Sequence, residues 1–353
     1  MTQSTVPADP EQYVRAEVRH RTGVITLDRP KALNALTAKM YRDLLECLWV
    51  WSDDDSVDQV LIHASASRAF CAGGDIRQVR QAVLDGEIER GMGAFTDEYT
   101  LNNLIAGYPK PYIALMEGYT MGGGMGLSVH GSHRIVTENT VMAMPECVIG
   151  FFPDIGASWF LPRMSLLGRG PSLAVARWMG LGGQRISGAD AVAVGLADVL
   201  VPSERLDRFR ELAISDGVEA AISEFAATAA DGLPDTSLAE AWDQIEQVYG
   251  ADSLPEVLAA AGEELAGASP SSLVRTWELL DAGAAASSVT ECLERELAFA
   301  RATISAPDFS EGVRCALIDK EDSPQWSPAT VEEVDVAAIK AVLGASEPLR
   351  ERP

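Results

Sequence analysis

Between about residues 13 and 205, short aliphatic and β-branched runs alternate with stretches of helical spacing. GVITLDRP (23–30), QVLIHAS (59–65), PYIALMEG (111–118) and HRIVTEN (133–139) have the length and residue types of strands. Thr37 is placed to cap a helix over 38–51, in which Leu44, Leu45, Leu48 and Trp51 share one face. Strands alternating with helices predict an α/β fold of stacked strands and covering helices. From about residue 206 the strand-like runs stop. VEAAISEFAATAA, LAEAWDQIEQVYG and LPEVLAAAGEELAG are rich in Ala and Glu at helical spacing, and DGLPDTS and GASPSS read as turns between them. The pattern divides the chain into an α/β core, 1–205, and a helical region, 206–353. No internal repeat is visible.

Composition narrows the setting more than the chemistry. The chain of 353 residues carries 28 Lys and Arg against 52 Asp and Glu, a net charge of −24. A field of that sign repels nucleic acid and anionic membrane surfaces, which excludes both as partners. No run approaches the ~18 apolar residues of a membrane span. The N-terminal stretch lacks an export or transit pattern. Five cysteines, Cys47, Cys71, Cys147, Cys292 and Cys315, are scattered without metal-ligand spacing. A cytoplasmic protein with reduced thiols and no metal is expected.

The candidate chemistry sits in GYTMGGGMGLSVHG (118–131) and AMPECVIGFFPDIG (143–156). Gly122, Gly123, Gly124 and Gly126 follow a strand-like run, where bare backbone can approach a ligand closely. Amides opening the following helix are unpaired and suit negative charge. Neither the dinucleotide G-x-G-x-x-G spacing nor a P-loop Gly-Lys-Ser/Thr is present. Close packing of a helix on a sheet is the plainer alternative for the glycines. RAFCAGGDI (68–76) has the same design, a strand-like run, two glycines, then Asp75 ahead of a helical segment. Two such loops side by side can each aim an N–H at one developing oxyanion.

RAFCAGGDI, the GGG run and MPECVIGFFPDIGASWFLPR together resemble the crotonase superfamily, also called enoyl-CoA hydratase/isomerase. LDRPKALNALT (27–37), ISGADAVAVGLADVLVP (186–202) and DFSEGVRCALIDKEDSPQW (308–326) match as well, so the resemblance covers nearly the whole chain, least at about 206–300. It implies a spiral of ββα units with a C-terminal helical region that serves oligomerisation, as a trimer or a multiple of one, and site completion. It implies an acyl-CoA substrate, CoA being part of the substrate rather than a cofactor. The thioester oxygen would be held by two backbone amides, which motif position assigns to Ala72 and Gly123. Substrate and CoA contacts would come from Lys31, Ala32, Gly73, Gly74, Asp75, Ile76, Gly122, Phe151 and Lys320, with Arg29 a further candidate for the phosphates.

The carboxylates select the reaction. Hydratases of the family handle one water with two glutamates, the first just after the GGG run. Here that position is Gly126, which can neither give nor take a proton. The second corresponds to Glu146. With Asp154 and the long C-terminal half, the pattern resembles a branch that hydrolyses short 3-hydroxyacyl-CoA thioesters, 3-hydroxyisobutyryl-CoA first. Glu146 would attack the carbonyl or deprotonate a water; Asp154 would orient water or hold the substrate hydroxyl. Local sequence also allows Asp154 as a helix cap and Glu146 in a buried ion pair. An isomerase using one glutamate, and an idle acyl-CoA-binding scaffold, are the other readings. His130 with Ser128 lacks a third orienting group for a triad, and Cys71 and Cys147 read as apolar fillers. Phe151 and Phe152 are expected to wall the acyl pocket.

Overall fold

A computed structural model describes residues 12–65, 68–226, 236–320 and 323–352. The turn expected in DGLPDTS lies largely outside the described residues. Ten strands build two sheets. They are β1 Val14–Arg19, β2 Thr22–Leu27, β3 Gln59–Ala64, β4 Ala69–Cys71 and β5 Tyr112–Met116, then β6 Tyr119–Met121, β7 His133–Val136, β8 Val141–Ala143, β9 Ile186–Ser187 and β10 Val199–Leu200. The larger sheet runs β1-β2-β3-β5-β7-β10 and the smaller β4-β6-β8-β9. Three times in succession the chain gives one strand to the large sheet and the next to the small one: β3 then β4, β5 then β6, β7 then β8. The result is a spiral of ββα turns. Pairing is parallel except at the hairpin β1–β2 and at β8–β9.

The strands read as apolar runs because the large sheet is buried on both faces, as parallel sheets are. Ile25, Leu27, Val60, Ile62, Ala114 and Val136 face the main core. Val24, Leu61, Ile113, Leu115 and Ile135 face the other way, onto Phe209, Ile214 and Phe225 of helices Leu206–Asp216 and Val218–Phe225. Helix Ala38–Ser52 forms where its amphipathic stripe predicts, and the Thr37 side chain accepts from Met40 N at 3.2 Å.

Beyond Leu200 the described chain is helical. GASPSS is less a turn than a helix start: Ser269 caps helix Pro270–Ala284, accepting from Ser272 N. Helix Val289–Ile304 packs on helix Ile88–Ala106 and on the short helix Ala157–Phe160, so the C-terminal region closes directly over the α/β core.

Candidate active site

The two glycine loops leave the C-terminal ends of neighbouring parallel strands. β4 pairs with β6, Cys71 opposite Thr120, so the chain turns out of the sheet twice at the same place. After β4 it passes through Ala72–Asp75 into helix Ile76–Leu84; after β6 it passes through Gly122 into the short helix Gly123–Gly126. Gly122 has φ +46°, a left-handed value that disfavours side chains, and a Cβ there would lie 2.7 Å from Glu146 Oε1. A Cβ on Gly123 would strike Glu98 Oε1 and stand 3.3 Å from the Gly74 nitrogen. The backbone is bare because carboxylates and a second backbone occupy the space.

Which amides are free differs from the expectation. The Ala72 N–H donates to Leu33 O at 3.0 Å and is spent on the fold. Those of Gly74 and Gly123 donate to no protein acceptor among the described residues. The Gly73 N–H is likewise without an acceptor among the described residues, and Gly74, whose nitrogen a Cβ on Gly123 would approach to 3.3 Å, makes with Gly123 the adjacent pair read as the oxygen site. Motif position misled by two residues because the Leu33 contact is made by a distant turn.

Both loops open on a cavity of about 310 Å³. Ala72, Gly73, Gly74 and Ile76 line it from one loop, Gly122 and Gly123 from the other, and Glu146, Phe151 and Asp154 from the segment after β8. Phe95, Glu98, Ala316 and Leu317, none of them expected, also line it. Phe151 stacks on Phe95, ring centroids 5.2 Å apart. Phe152 does not reach the cavity: it is fully buried behind Phe151 and against Phe299.

Three carboxylates face this cavity. Glu146 starts a 3₁₀ turn, Glu146–Ile149, and its Oε2 is buried with no partner among the described residues. Burial, then the negative charge of Asp154, pushes its carboxyl well above the usual range. Asp154 accepts from the Tyr99 hydroxyl at 2.8 Å, and burial pushes it up to about 7. It is not a side-chain cap: the following helix is capped by Gly156, and only the Asp154 carbonyl is used, by Ala157 N. Glu98, from helix Ile88–Ala106, is pushed well up by burial and by Asp154. A fourth carboxylate, Glu296, lies just behind. It accepts from Gly156 N at 2.6 Å, Ser158 N at 3.0 Å and Ser158 Oγ at 2.6 Å, while burial pushes it up to about 8. Burial raises all four above the ordinary carboxylate range, as at sites poised for proton transfer.

The remaining expected contacts lie further out. Asp75 forms an ion pair with Arg29 at 2.9 Å, and Arg29 also donates to Ala35 O. Ala32 belongs to the 3₁₀ turn Pro30–Ala32, whose Lys31 is exposed; neither lines the cavity. Lys320 is exposed and does not line the cavity; it lies three residues past Leu317, which does. His130 is partly buried and neutral, pushed down to about 4 by burial, and its Nε2 meets Ile155 O at 2.7 Å; Ser128 donates to Gly124 O, so the two form no triad. The Cys71 and Cys147 thiols are pushed up to about 12 by burial and are not nucleophiles.

Glu98 escapes a reading for loops and glycines, yet the helix carries a signal. Phe95, Glu98, Asn102 and Ile105 recur at helical spacing, placing a carboxylate and an amide on a face that is otherwise apolar.

The family model described as enoyl-CoA hydratase/isomerase matches residues 22–343. The chain is 39% identical over 332 residues to "3-hydroxyisobutyryl-CoA hydrolase, mitochondrial" of Danio rerio, covering 89% of this chain and 85% of that one. It is 38% identical over 344 residues to the protein of the same name in Homo sapiens, covering 92% and 87%. Among solved structures, a carnitinyl-CoA dehydratase from Mycobacterium thermoresistibile superposes with TM-score 0.87 at 36% identity, covering 96% of this chain and 98% of that one. An enoyl-CoA hydratase from Rhodobacter sphaeroides 2.4.1 gives TM-score 0.85 at 34% identity, covering 94% and 97%.

Proposed function

The chain belongs to the enoyl-CoA hydratase/isomerase (crotonase) family, and we propose that within it the protein hydrolyses a short 3-hydroxyacyl-CoA thioester, 3-hydroxyisobutyryl-CoA first. The observation that carries the reading is one cavity holding two unpartnered amides, Gly74 and Gly123, together with a carboxylate, Glu146, whose Oε2 is free. Relatives 38–39% identical over about nine-tenths of the chain bear the name of that hydrolase.

The amides of Gly74 and Gly123 take the thioester oxygen and stabilise the charge that forms on it when the carbonyl carbon becomes tetrahedral. Glu146 has two routes, both needing its ionised form. It removes a proton from a water that attacks the carbon, or it attacks the carbon itself and leaves a mixed anhydride for water to cleave. Either way the carbon–sulfur bond breaks, the thiolate of CoA departs, and one water ends as the acid's hydroxyl and the thiol's proton. Asp154, steadied by Tyr99, takes the substrate's 3-hydroxyl; Phe95 and Phe151 wall the small acyl group. The CoA phosphates lie outside the cavity, where Lys320 stands.

Hydration is the competing activity suggested by the names of the two solved neighbours. It wants a second acid where this chain has Gly126. The five thiols form no disulfide. A reducing compartment suits them, whether the cytoplasm expected from the sequence or the mitochondrion in the relatives' names.

The test is a panel of acyl-CoAs followed at once for thiol release and for double-bond absorbance. Rapid thiol release from 3-hydroxyisobutyryl-CoA supports the reading. Migration or hydration of a double bond without thiol release overturns it in favour of an isomerase or hydratase.

A further inference from the structure

Asp154 is followed by a backbone that does not rest easily. Ile155 has φ +57° and is fully buried; a β-branched residue in the left-handed region is strained, and such strain persists only where the surroundings enforce it. Gly156 follows at φ +82°, so two consecutive residues are left-handed. Two side chains hold this turn. His130 Nε2 meets Ile155 O at 2.7 Å. Glu296, from helix Val289–Ile304, accepts from Gly156 N and from both Ser158 N and Ser158 Oγ. A carboxylate fully buried in the C-terminal region thus spends both oxygens on the two residues beyond the strained bend.

We propose that Glu296 is a positioning residue for the reaction: with His130 it holds the Ile155–Gly156 turn in its left-handed form and so fixes the aim of Asp154. The inference rests on the hydrolase reading above and deepens it, by giving the C-terminal region a part in catalysis without touching the substrate. Both Glu296 oxygens are needed as acceptors, one for the Gly156 N–H and the other for the Ser158 N–H. An amide supplies one acceptor and turns its own N–H₂ toward a donor. Without the grip Ile155 relaxes to a right-handed or extended backbone, and Asp154 swings away from the hydroxyl. Displacements of that kind reduce turnover by ~10- to 100-fold.

Relieving the strain supplies a discriminating test. Glycine takes left-handed dihedrals without cost, so Ile155→Gly should let the turn persist without its clamp. Glu296→Gln is expected to lower kcat/KM for 3-hydroxyisobutyryl-CoA ~10- to 100-fold and to leave that for isobutyryl-CoA, which offers Asp154 no hydroxyl, nearly unchanged. Adding Ile155→Gly to Glu296→Gln should restore kcat/KM for the hydroxylated ester at least several-fold while lowering the melting temperature further, because a buried side chain is lost. A purely structural Glu296 predicts the reverse, a double variant slower on both esters as well as less stable, and that result overturns the proposal. So does a Glu296→Gln protein with wild-type selectivity for the hydroxylated ester. Should Glu296→Gln not fold, Ser158→Ala removes one of the three donors and should lower the same selectivity; an unchanged selectivity is equally fatal. Wild type in the same assay separates the two levels: if it releases no thiol, the hydrolase reading fails, whereas normal wild type beside unaffected variants leaves that reading intact and removes this one.

Discussion

Gly126 lies directly against Asn102: a Cβ built on the glycine would fall 2.6 Å from Asn102 Nδ2 and 3.1 Å from Ile155 Cβ. The glycine at the position of the missing hydratase acid is thus not an empty seat. Helix Ile88–Ala106 and the strained turn have filled the space. Wild type is expected to hydrate crotonyl-CoA poorly or not at all, and Gly126→Glu should not install hydration. Overpacking of this kind costs about 1–3 kcal/mol, so the variant should melt lower and hydrolyse more slowly. Measuring crotonyl-CoA absorbance and thermal unfolding on both proteins checks this. Hydration gained by the variant at unchanged stability would show that the site retains the hydratase layout.

Glu146 faces a different trial. Glu146→Gln preserves size and polar contacts but removes both base and nucleophile. Thiol release should fall at least ~10²-fold, with binding of the CoA ester largely kept. Near-normal turnover would move the chemistry to Glu98 or Asp154. A single turnover in ¹⁸O-water tests for the covalent route: label in the Glu146 carboxylate marks an anhydride that water opens at the glutamyl carbon, whereas label confined to the product acid is common to the activated water and to water attack at the acyl carbon.

The two glycine loops, Glu146 and the PDIG turn are legible in the sequence because each is a local pattern, a strand run followed by glycines or by a turn. What the sequence hides is long-range. Whether Ala72 or Gly74 presents the free amide depends on Leu33, some forty residues earlier, taking the Ala72 N–H. That Arg29 pairs with Ala35 and Asp75 is equally a long-range fact that the sequence hides. β1 escapes notice because VRAEVR is an edge strand exposed along most of its length. β4, β6 and β8 have three residues each, too few for a period to show. Glu296 has no signal of its own: in VTECLERELAF it is one of several acids, and only the packing of its helix on the core makes it the buried one.

The pH profile follows from the direction in which these acids are pushed. An ordinary glutamate ionises near pH ~4.3. Glu146 is raised by burial and by Asp154, and must be ionised to act. The acid limb of kcat/KM should therefore lie well above the ordinary carboxylate range, with activity lost as pH falls through it. Asp154→Asn removes the neighbouring negative charge and should move that limb to lower pH. Stability runs the opposite way. With folded values of about 7 for Asp154 and about 8 for Glu296, the folded state binds more protons than the unfolded one. Stability is full below the ordinary carboxylate range and is lost as pH rises through those values. Rate profiles and denaturant midpoints from about pH 5 to about pH 9 test both signs. A limb in the ordinary carboxylate range would remove Glu146 from its proposed role.

Substrate choice tests the division of labour between Asp154 and the aromatic wall. Phe95 and Phe151 stack 5.2 Å apart and present an apolar surface to a short acyl group. Asp154 is the carboxylate held by Tyr99, with a second oxygen left for a ligand. An apolar wall distinguishes one methylene by only about 1–3 kcal/mol, whereas a site that pairs a hydroxyl rejects the analogue lacking it far more strongly, because its own polar group is left unsatisfied. 3-Hydroxyisobutyryl-CoA should therefore be hydrolysed much faster than isobutyryl-CoA, with 3-hydroxypropionyl-CoA between them. Asp154→Ala should slow the hydroxylated ester and leave the plain one nearly unchanged, closing the gap. If both rates drop together, Asp154 serves the attacking water instead. Equal wild-type rates for isobutyryl-CoA and its 3-hydroxy form would mean that no group in the cavity reads the hydroxyl, leaving a general short-chain thioesterase whose selectivity is set by the Phe95–Phe151 wall alone.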